Sequence, residues 1–196
     1  MTAFMDRPPE DASSTDEALM LAFRDGDHRA FQLLYERHRG PLFRFLLGSV
    51  GEHATAEELF QDTWMRLVDA RQRYRVKARF TTYLYRIAQN RLIDHYRAKR
   101  PTERIDPEDG RYGATTESSG PAAAPEREQS LIAMHRAIAA LPLEQRTAFL
   151  LRNAQDLSLE EIATITGVGR ETVKSRLRYA LNKLRAALGG IYGPVA

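Results

Sequence analysis

The chain has 196 residues, enough for one ordinary domain or for two small ones. Hydrophobic residues make up 43% and charged residues 28%, near the averages of globular proteins, which argues against wholesale disorder and against a membrane protein. Cysteine is absent, which excludes disulfides, thiol catalysis and thiolate metal sites and fits a reducing compartment. No apolar run approaches the length of a spanning helix, so we expect a cytoplasmic protein.

The net charge of +3 is small but unevenly distributed. Between Arg66 and Arg100, eleven lysines and arginines stand against two aspartates, a local charge of +9. Such a segment is typical of proteins that face a polyanion. The next stretch, residues 101–130, carries seven acids against three arginines, a local charge of −4. The sign of the charge therefore reverses between neighbouring segments.

Apolar residues recur with a helical period on both sides of residues 101–125, and no convincing alternating strand is found. Residues 101–125 are rich in proline, glycine, serine and threonine and lack a hydrophobic period, which predicts a flexible acidic linker. We therefore predict an all-α fold of two small helical domains, residues 16–100 and 126–189. Residues 1–15 are predicted to be a disordered tail, and residues 190–196 a second tail.

Several residues predict where the helices of the two domains begin and end. Gly40-Pro41 predicts a helix boundary or kink. Thr55 and Glu58 form a candidate capping box for a helix that should end near residue 70. A further helix is predicted over residues 81–97, and Pro142 should separate two helices of the second domain.

The second domain contains the pattern of a helix-turn-helix that begins at a second candidate capping box, Ser158 with Glu161. The motif needs a small residue at the helix crossing, a turn residue that tolerates positive φ and an apolar residue on the second helix. Ala163, Gly167 and Val173 fill these roles. The second helix would then present polar and cationic side chains to base edges and phosphates: Arg170, Glu171, Thr172, Lys174, Ser175 and Arg178. An ordinary helical hairpin with a solvated charged face is the alternative.

The basic segment of residues 66–100 also contains many aromatic rings, namely Tyr74, Phe80, Tyr83, Tyr85, His95 and Tyr96. Cations track phosphates while rings stack unpaired bases, a combination typical of sites for single-stranded nucleic acid. The alternative is that several of these rings belong to the core, and we expect Tyr83 or Tyr85 to point inward.

Three segments, in this order, resemble those of extracytoplasmic-function (ECF) sigma factors of the sigma-70 family. They are the run from Glu57 to Trp64 (EELFQDTW), the run from Arg79 to Arg97 (RFTTYLYRIAQNRLIDHYR), and the helix-turn-helix ending in Thr172-Val-Lys-Ser-Arg-Leu177. The resemblance implies a subunit that binds core RNA polymerase, recognises and melts promoter DNA and directs transcription initiation. It implies neither enzymatic activity nor a cofactor.

The resemblance also implies roles for individual residues. The first segment would dock on the clamp coiled coil of core polymerase through Glu57, Glu58, Gln61 and Asp62. The second would capture a flipped base of the minus-ten element, through Asn90 and Arg91 first and then Arg86, His95 and Arg97. The helix-turn-helix would bind the minus-thirty-five element. Gly169-Arg170-Glu171 stands where the family commonly has Pro-Glu-Gly, which leaves the preferred promoter sequence open. Members are often held by an anti-sigma factor. Their linker threads the RNA exit channel, and a plain solubilising spacer would explain the acidic composition of residues 101–125 equally well.

Three other classes of function fit the sequence less well. A purely protein-binding adaptor built of helices would not need the segment of charge +9. A stand-alone helix-turn-helix regulator would explain the second domain but not the basic aromatic segment, and no heptad offers the dimer interface that such a regulator normally needs. A nuclease is disfavoured because the five histidines are scattered without a metal-binding pair and no glycine-rich phosphate loop is present. We therefore predict no catalytic residue and no metal site.

Overall fold

The computed structural model describes residues 14–99, 126–155 and 157–192, apart from the side chains of residues 126–128, 155 and 190–192. The described residues form eight α-helices and one short 3-10 helix and contain no strand, which confirms the all-α fold class. The predicted linker and residues 1–13 lie outside them. The first helical group consists of α1 (Asp16–Arg24), α2 (His28–Val50), α3 (His53–Ala70), a 3-10 helix (Arg71–Arg73) and α4 (Phe80–Ala98).

The second helical group contains four helices with short connections. Pro142 separates its first two helices as predicted, and the Pro142 carbonyl accepts the backbone amide of Arg146 at 2.9 Å. Its last helix continues to Tyr192, beyond the predicted domain end at residue 189. The group consists of α5 (Glu126–Ala139), α6 (Leu143–Gln155), α7 (Leu159–Thr166) and α8 (Arg170–Tyr192).

An acidic side chain fixes α1 to α2. Thr15 caps α1, since its hydroxyl accepts the Ala18 amide at 3.2 Å. Arg37 of α2 donates to Asp16 Oδ1 at 2.8 Å, and His38 Nε2 lies 2.7 Å from Asp16 Oδ2. The hydrogen bond with His38 is the largest influence on the pKa of Asp16 and, with Arg37, lowers it although burial opposes the change. The ionised carboxylate therefore stabilises this packing.

α2 runs without interruption through Gly40-Pro41, so the boundary predicted there is not found. A proline inside a helix removes one backbone hydrogen bond. Leu42, Phe45 and Leu46 follow it and are fully or almost fully buried, and tertiary packing of this kind outweighs local propensity. The helix ends at Gly51, whose φ of 77° is left-handed and whose amide donates to the Leu47 carbonyl at 2.8 Å.

α3 begins two residues earlier than predicted, at His53. Thr55 lies buried in the first turn, and its hydroxyl donates to Glu52 Oε2 at 2.5 Å. The capping box predicted for Thr55 and Glu58 is therefore wrong, because the backbone is already helical at residue 53. Further along α3, Trp64 contacts Phe31 and Tyr35 of α2 with ring centroids 5.7 and 5.1 Å apart, and these rings fix α3 against α2.

The helix-turn-helix has the predicted construction. Ser158 Oγ accepts the Glu161 amide at 3.1 Å while Glu161 Oε2 accepts the Ser158 amide at 2.8 Å, which confirms the capping box. Gly167 ends α7 with a left-handed φ of 70°. Val173 of α8 is fully buried, as the motif requires.

The two helical groups pack directly against each other. α6 lies on α2, α7 lies on α4, and one cluster of buried apolar side chains contains residues from both groups. The second group contributes Leu151, Leu157, Ile162, Ile165 and Val173 to this cluster. The sequence predicted a tether between two domains but not this packing, because periodicity shows which face of a helix is buried and not what covers it.

Candidate nucleic-acid interface

The N-terminal half of α8 presents the polar side chains that the sequence assigned to duplex DNA. Val173 anchors the helix against α7, and the side chains around it point outward. Ser175 is half-buried, and the other predicted residues are exposed: Arg170, Glu171, Thr172, Lys174 and Arg178. The face is thus available to enter a major groove.

Acidic neighbours partly neutralise the cations at the start of α8. Arg170 Nε lies 2.5 Å from Glu160 Oε1 of α7, and its Nη1 lies 3.0 Å from Glu171 Oε1. The hydrogen bond with Glu160 raises the pKa of Arg170 further above its already high value. Lys174 Nζ stands 3.8 Å from Glu171 Oε2, a looser pair. The Arg178 guanidinium lies 5.1 Å from the centre of the Tyr179 ring. Lys174 and Arg178 are therefore better placed than Arg170 to bind phosphates.

The outer face of α4 carries a second polar surface. Arg86, Asn90 and Arg97 are exposed and spaced four and seven residues apart, which places them on one stripe of the helix. Arg91 and His95 are half-buried beside this stripe. Burial, helped by Lys99, lowers the pKa of His95 and favours its neutral ring. The five residues predicted for single-stranded DNA therefore lie together, with three cations among them.

Arg91 has a structural role that the sequence did not reveal. Its guanidinium donates to Asp62 Oδ2 of α3 at 2.8 Å and to Asp94 Oδ2 of α4 at 3.0 Å. The side chain is only 20% exposed, so this pairing joins α3 to α4. Arg91 and Asp62, which were predicted to bind different partners, therefore contact each other.

Most rings of the basic segment are part of the core, so the prediction that they form a stacking platform is not supported. Tyr74, Phe80 and Tyr85 are almost fully buried, and Tyr83 and Tyr96 are half-buried. Tyr96 Oη also donates to the Ser49 carbonyl at 2.7 Å. The expectation that Tyr83 or Tyr85 points inward is confirmed by Tyr85. The side chains that α4 exposes are therefore mostly polar and not aromatic, and Arg86, Asn90 and Arg97 are among them.

The exposed face of α3 is acidic. Glu57, Glu58 and Gln61 are exposed, and Asp62 is 40% exposed beside them. Met65, one turn further along, is 64% exposed, so an apolar side chain lies next to the acids. The cationic stripe of α4 is the one formed by Arg86, Asn90 and Arg97, and the Asp62–Arg91 pair lies between this stripe and the acidic face of α3.

Residues 34–102 match the family model for Sigma-70 region 2, and residues 131–184 match the model for Sigma-70, region 4. The ECF RNA polymerase sigma factor RpoE of Cereibacter sphaeroides is 36% identical over 175 residues, which cover 86% of this chain and 92% of the relative. The chain belongs to the ECF sigma factors. The RNA polymerase sigma-H factor of Pseudomonas aeruginosa is 30% identical over 180 residues, with 88% and 93% of the two chains covered.

Solved structures share the fold of this sigma factor. CnrH in complex with the cytosolic domain of CnrY aligns with a TM-score of 0.68 at 21% identity, over 90% of this chain and 99% of that one. The sigma factor RpoE in complex with the anti-sigma factor NepR from Bartonella quintana gives a TM-score of 0.64 at 24% identity, over 81% and 96%. The family membership removes the stand-alone regulator from consideration.

The connection between α3 and α4 of the sigma factor adds a surface that the sequence prediction did not name. Its cationic side chains are exposed, and Val76 among them is 53% exposed. They are Arg73, Arg75, Lys77 and Arg79. The charge count had included them, but only the fold shows that they project from a loop next to the first turn of α4.

Two features are absent from the described residues. No group of three or more histidine, aspartate or glutamate side chains is arranged to hold a metal ion there. Within the same residues, no helix has both the length and the apolar character needed to cross a membrane.

Proposed function

We propose that this sigma factor binds core RNA polymerase, recognises and melts promoter DNA and directs transcription initiation through three exposed surfaces. The surfaces are the acidic face of α3, the cationic stripe of α4 and the outer face of α8. The observation that carries the assignment is the exposure of all three faces on helices whose opposite faces are buried. Each face is therefore free to bind a different partner.

The acidic face of α3 is the proposed contact with core polymerase. Glu57, Glu58 and Asp62 give it a negative charge, which suits a basic partner surface and would speed association. The exposed Gln61 adds hydrogen-bonding capacity within the same two turns of helix.

The stripe of α4 is the proposed site for the unpaired minus-ten strand. Arg86 and Arg97 can bind phosphates along the strand, and Asn90 between them can form hydrogen bonds to a base. Binding energy that favours the unpaired state can open the duplex without ATP. We therefore propose that this protein acts by binding and carries no catalytic activity of its own.

The outer face of α8 is the proposed reader of the minus-thirty-five element. Lys174 and Arg178 supply phosphate contacts, while Thr172 and Ser175 can reach base edges. Arg170 replaces a residue of the common family pattern and is paired with Glu160, so its contribution to promoter choice needs direct measurement.

We further propose that the protein acts in the cytoplasm, where polymerase and DNA are present, and that an anti-sigma factor is among its partners. The second proposal is supported by the relative from Bartonella quintana, which was solved with the anti-sigma factor NepR.

Run-off transcription tests the proposed function. Fragments of genomic DNA from the source bacterium are incubated with purified core polymerase, with and without this protein. Discrete transcripts that need both components are the expected result, and their start sites would identify the two promoter elements. Loss of every such transcript, with a preparation shown to be free of a co-purified inhibitor, would refute the proposal.

A further inference from the structure

The connection between α3 and α4 forms a cationic loop, residues 73–79, that is anchored at Tyr74 and, just after its end, at Phe80. Tyr74 is 2% exposed and Phe80 0%, and the Tyr74 ring packs against Tyr83 of α4 with ring centroids 5.2 Å apart. All five residues between the two anchors are exposed. The position of the loop cations therefore depends on how firmly the two anchors are held.

Helix α1 holds both ends of this loop. Glu17 Oε1 of α1 accepts the Phe80 amide at 2.6 Å, although the two residues are 63 positions apart. At the other end, Gln72 Nε2 donates at 3.0 Å to the carbonyl of Arg24, the last residue of α1. Burial raises the pKa of Tyr74 to about 12, and the negative charge of Glu17 adds to this increase. The Glu17 carboxylate is thus close enough to influence both anchors of the loop.

The start of α4 has no cap of its own. The first backbone amides of a helix lack partners within it, and a nearby side-chain acceptor usually satisfies one of them. Arg79 occupies the cap position but makes no side-chain hydrogen bond there, and the first turn of α4 contains no acidic residue. The Glu17 carboxylate supplies the missing acceptor, and its negative charge suits the positive end of the helix dipole. A residue of α1 therefore fixes where α4 begins.

The cationic loop leads directly into the cationic stripe of α4. Arg79 lies seven residues before Arg86, the first member of the stripe, which places Arg79 at the end of the same line along the helix. At 1.5 Å per residue, the stripe extended from Arg97 to Arg79 measures about 27 Å, a length that several nucleotides of an unpaired strand can follow. Loop and stripe therefore form one continuous cationic surface as long as the loop keeps this position.

The loop cations differ in the contacts that they already make. Arg75 Nη1 donates to two nearby backbone carbonyls at 2.8 and 3.2 Å, so this side chain stabilises the loop itself. Arg79 Nη1 lies 3.4 Å from Glu161 Oε1 of α7. Arg73 and Lys77 are exposed and are the two loop cations best placed to bind phosphates.

We infer that Glu17 is a positioning residue for promoter opening, because its hydrogen bond to the start of α4 holds the cationic loop in line with the stripe. Loop and stripe then bind the same unpaired strand. This inference rests on the proposed function of the stripe. Glu17 is half-buried and negatively charged, so it would repel a phosphate and contributes to DNA binding only through the loop.

Removal of Glu17 should change the affinity for DNA in the direction opposite to simple electrostatics. Loss of an acid makes the protein more positive, which by itself strengthens binding to a polyanion. Loss of a positioning residue instead weakens binding, because the loop cations no longer lie along the strand. Glu36→Ala is the matched control, since it removes the same charge from α2, where Glu36 is exposed and outside the proposed surfaces.

Three substitutions separate the hydrogen bond of Glu17 from its charge. Glu17→Ala removes both, whereas Glu17→Gln removes the charge but keeps an oxygen that can accept the Phe80 amide. Glu17→Asp keeps the charge but shortens the side chain by one methylene, so the carboxylate no longer reaches that amide. We expect Glu17→Gln to bind the strand nearly as tightly as wild type and Glu17→Asp to bind as weakly as Glu17→Ala. If Glu17→Ala does not fold, the comparison of Glu17→Gln with Glu17→Asp decides the matter.

Fluorescence anisotropy of a labelled single strand, titrated with holoenzyme at several salt concentrations, measures these differences. The probe is the non-template strand of a minus-ten element mapped by run-off transcription, and the holoenzyme contains core polymerase and the full-length chain. Each phosphate contact with a single strand contributes a slope of about −0.7, so loss of the Arg73 and Lys77 contacts flattens the slope by about 1.4. Over a fourfold change in salt this is about 7-fold in affinity, and Glu17→Ala should approach that value. Glu17→Ala holoenzyme that binds as tightly as Glu36→Ala holoenzyme would overturn the inference.

A second set of variants distinguishes positioning from loss of stability. Arg73→Ala combined with Lys77→Ala removes the two phosphate contacts directly. Because Glu17 acts through these cations, adding Glu17→Ala to that pair should lower the affinity by less than about twofold further. A chain that is merely destabilised would lose the same factor in both backgrounds, and that result would overturn the inference. Co-purification with core polymerase should stay at the wild-type level throughout, and its loss in the Glu17→Ala variant would also contradict a positioning role.

Strand binding by wild-type holoenzyme separates this inference from the proposed function. The comparison is a scrambled strand of the same base composition. Equal affinity for the mapped and scrambled strands would refute the proposed role of the stripe, and the inference would fall with it. A wild-type preference for the mapped strand, together with undiminished strand binding by Glu17→Ala and Glu17→Asp, would overturn the inference alone and leave the proposed function intact.

Discussion

Replacing Lys174 and Arg178 with alanine should weaken promoter binding by an amount that depends on salt. Both side chains are exposed and stand one helical turn apart on α8, so they face the same part of a bound duplex. The 3.8 Å pair of Lys174 with Glu171 is weak enough for a phosphate to displace. Each phosphate contact contributes a slope of about −0.9 to the logarithm of affinity against the logarithm of salt concentration. Over a fourfold change in salt, one contact thus accounts for about 3.5-fold in affinity, and two for about 12-fold.

Fluorescence anisotropy of a labelled promoter duplex, titrated with the protein and core polymerase at several salt concentrations, measures this slope. Each single variant should flatten the slope by about 0.9 and the double variant by about twice as much. Lys183→Ala is the control, because Lys183 is exposed on the same helix but lies outside the proposed DNA face. A double variant with the slope and affinity of the control would refute the docking of this face in the groove.

Three further predictions concern binding and stability. Glu57→Lys combined with Glu58→Lys should abolish co-purification with core polymerase while the helical circular dichroism stays native, since both side chains are exposed; retained binding would remove α3 from the interface. Asp16→Asn should lower the free energy of unfolding at pH 7 by on the order of 1 kcal/mol. That difference should shrink in urea titrations below about pH 4, because the pKa of Asp16 is lower in the folded state and its stabilisation is lost on protonation; an unchanged difference would contradict the reasoning. Ser158→Ala should cost about 1 kcal/mol in thermal unfolding, since it removes the cap of α7, and a wild-type melting temperature would exclude that role.

Local chemistry explains which elements could be predicted. The helix predicted over residues 81–97 differs from α4 by only one residue at each end, because its apolar spacing is regular. Ser158 and Gly167 mark the ends of α7 by interactions within a few residues, so the sequence contains all the information needed. The end of α2 lies at Gly51 and not at Gly40-Pro41, since buried neighbours outweigh the cost of the proline.

The candidate sites were predicted less completely than the helices. The exposed residues of α3, α4 and α8 were named from motif positions, and their accessibility agrees with those roles while the roles themselves stay predictions. Arg91 was named for DNA alone, although it also joins Asp62 and Asp94. The sequence left open whether the aromatic rings of the basic segment stack on bases or belong to the core, because charge and ring content are the same in both cases, and most of the rings belong to the core.

The sequence by itself determined that this protein is helical, that it has a basic segment beside a helix-turn-helix, and that it resembles the ECF sigma factors. The first two properties follow from composition, period and capping, which act over a few residues, and the resemblance rests on three motifs of this sequence. Only the tertiary structure decided that Arg146 donates to the Ser49 carbonyl, 97 residues away, and that Gly48 accommodates Leu150. Such contacts depend on which buried faces pack against each other. The shapes of both surfaces together determine that packing.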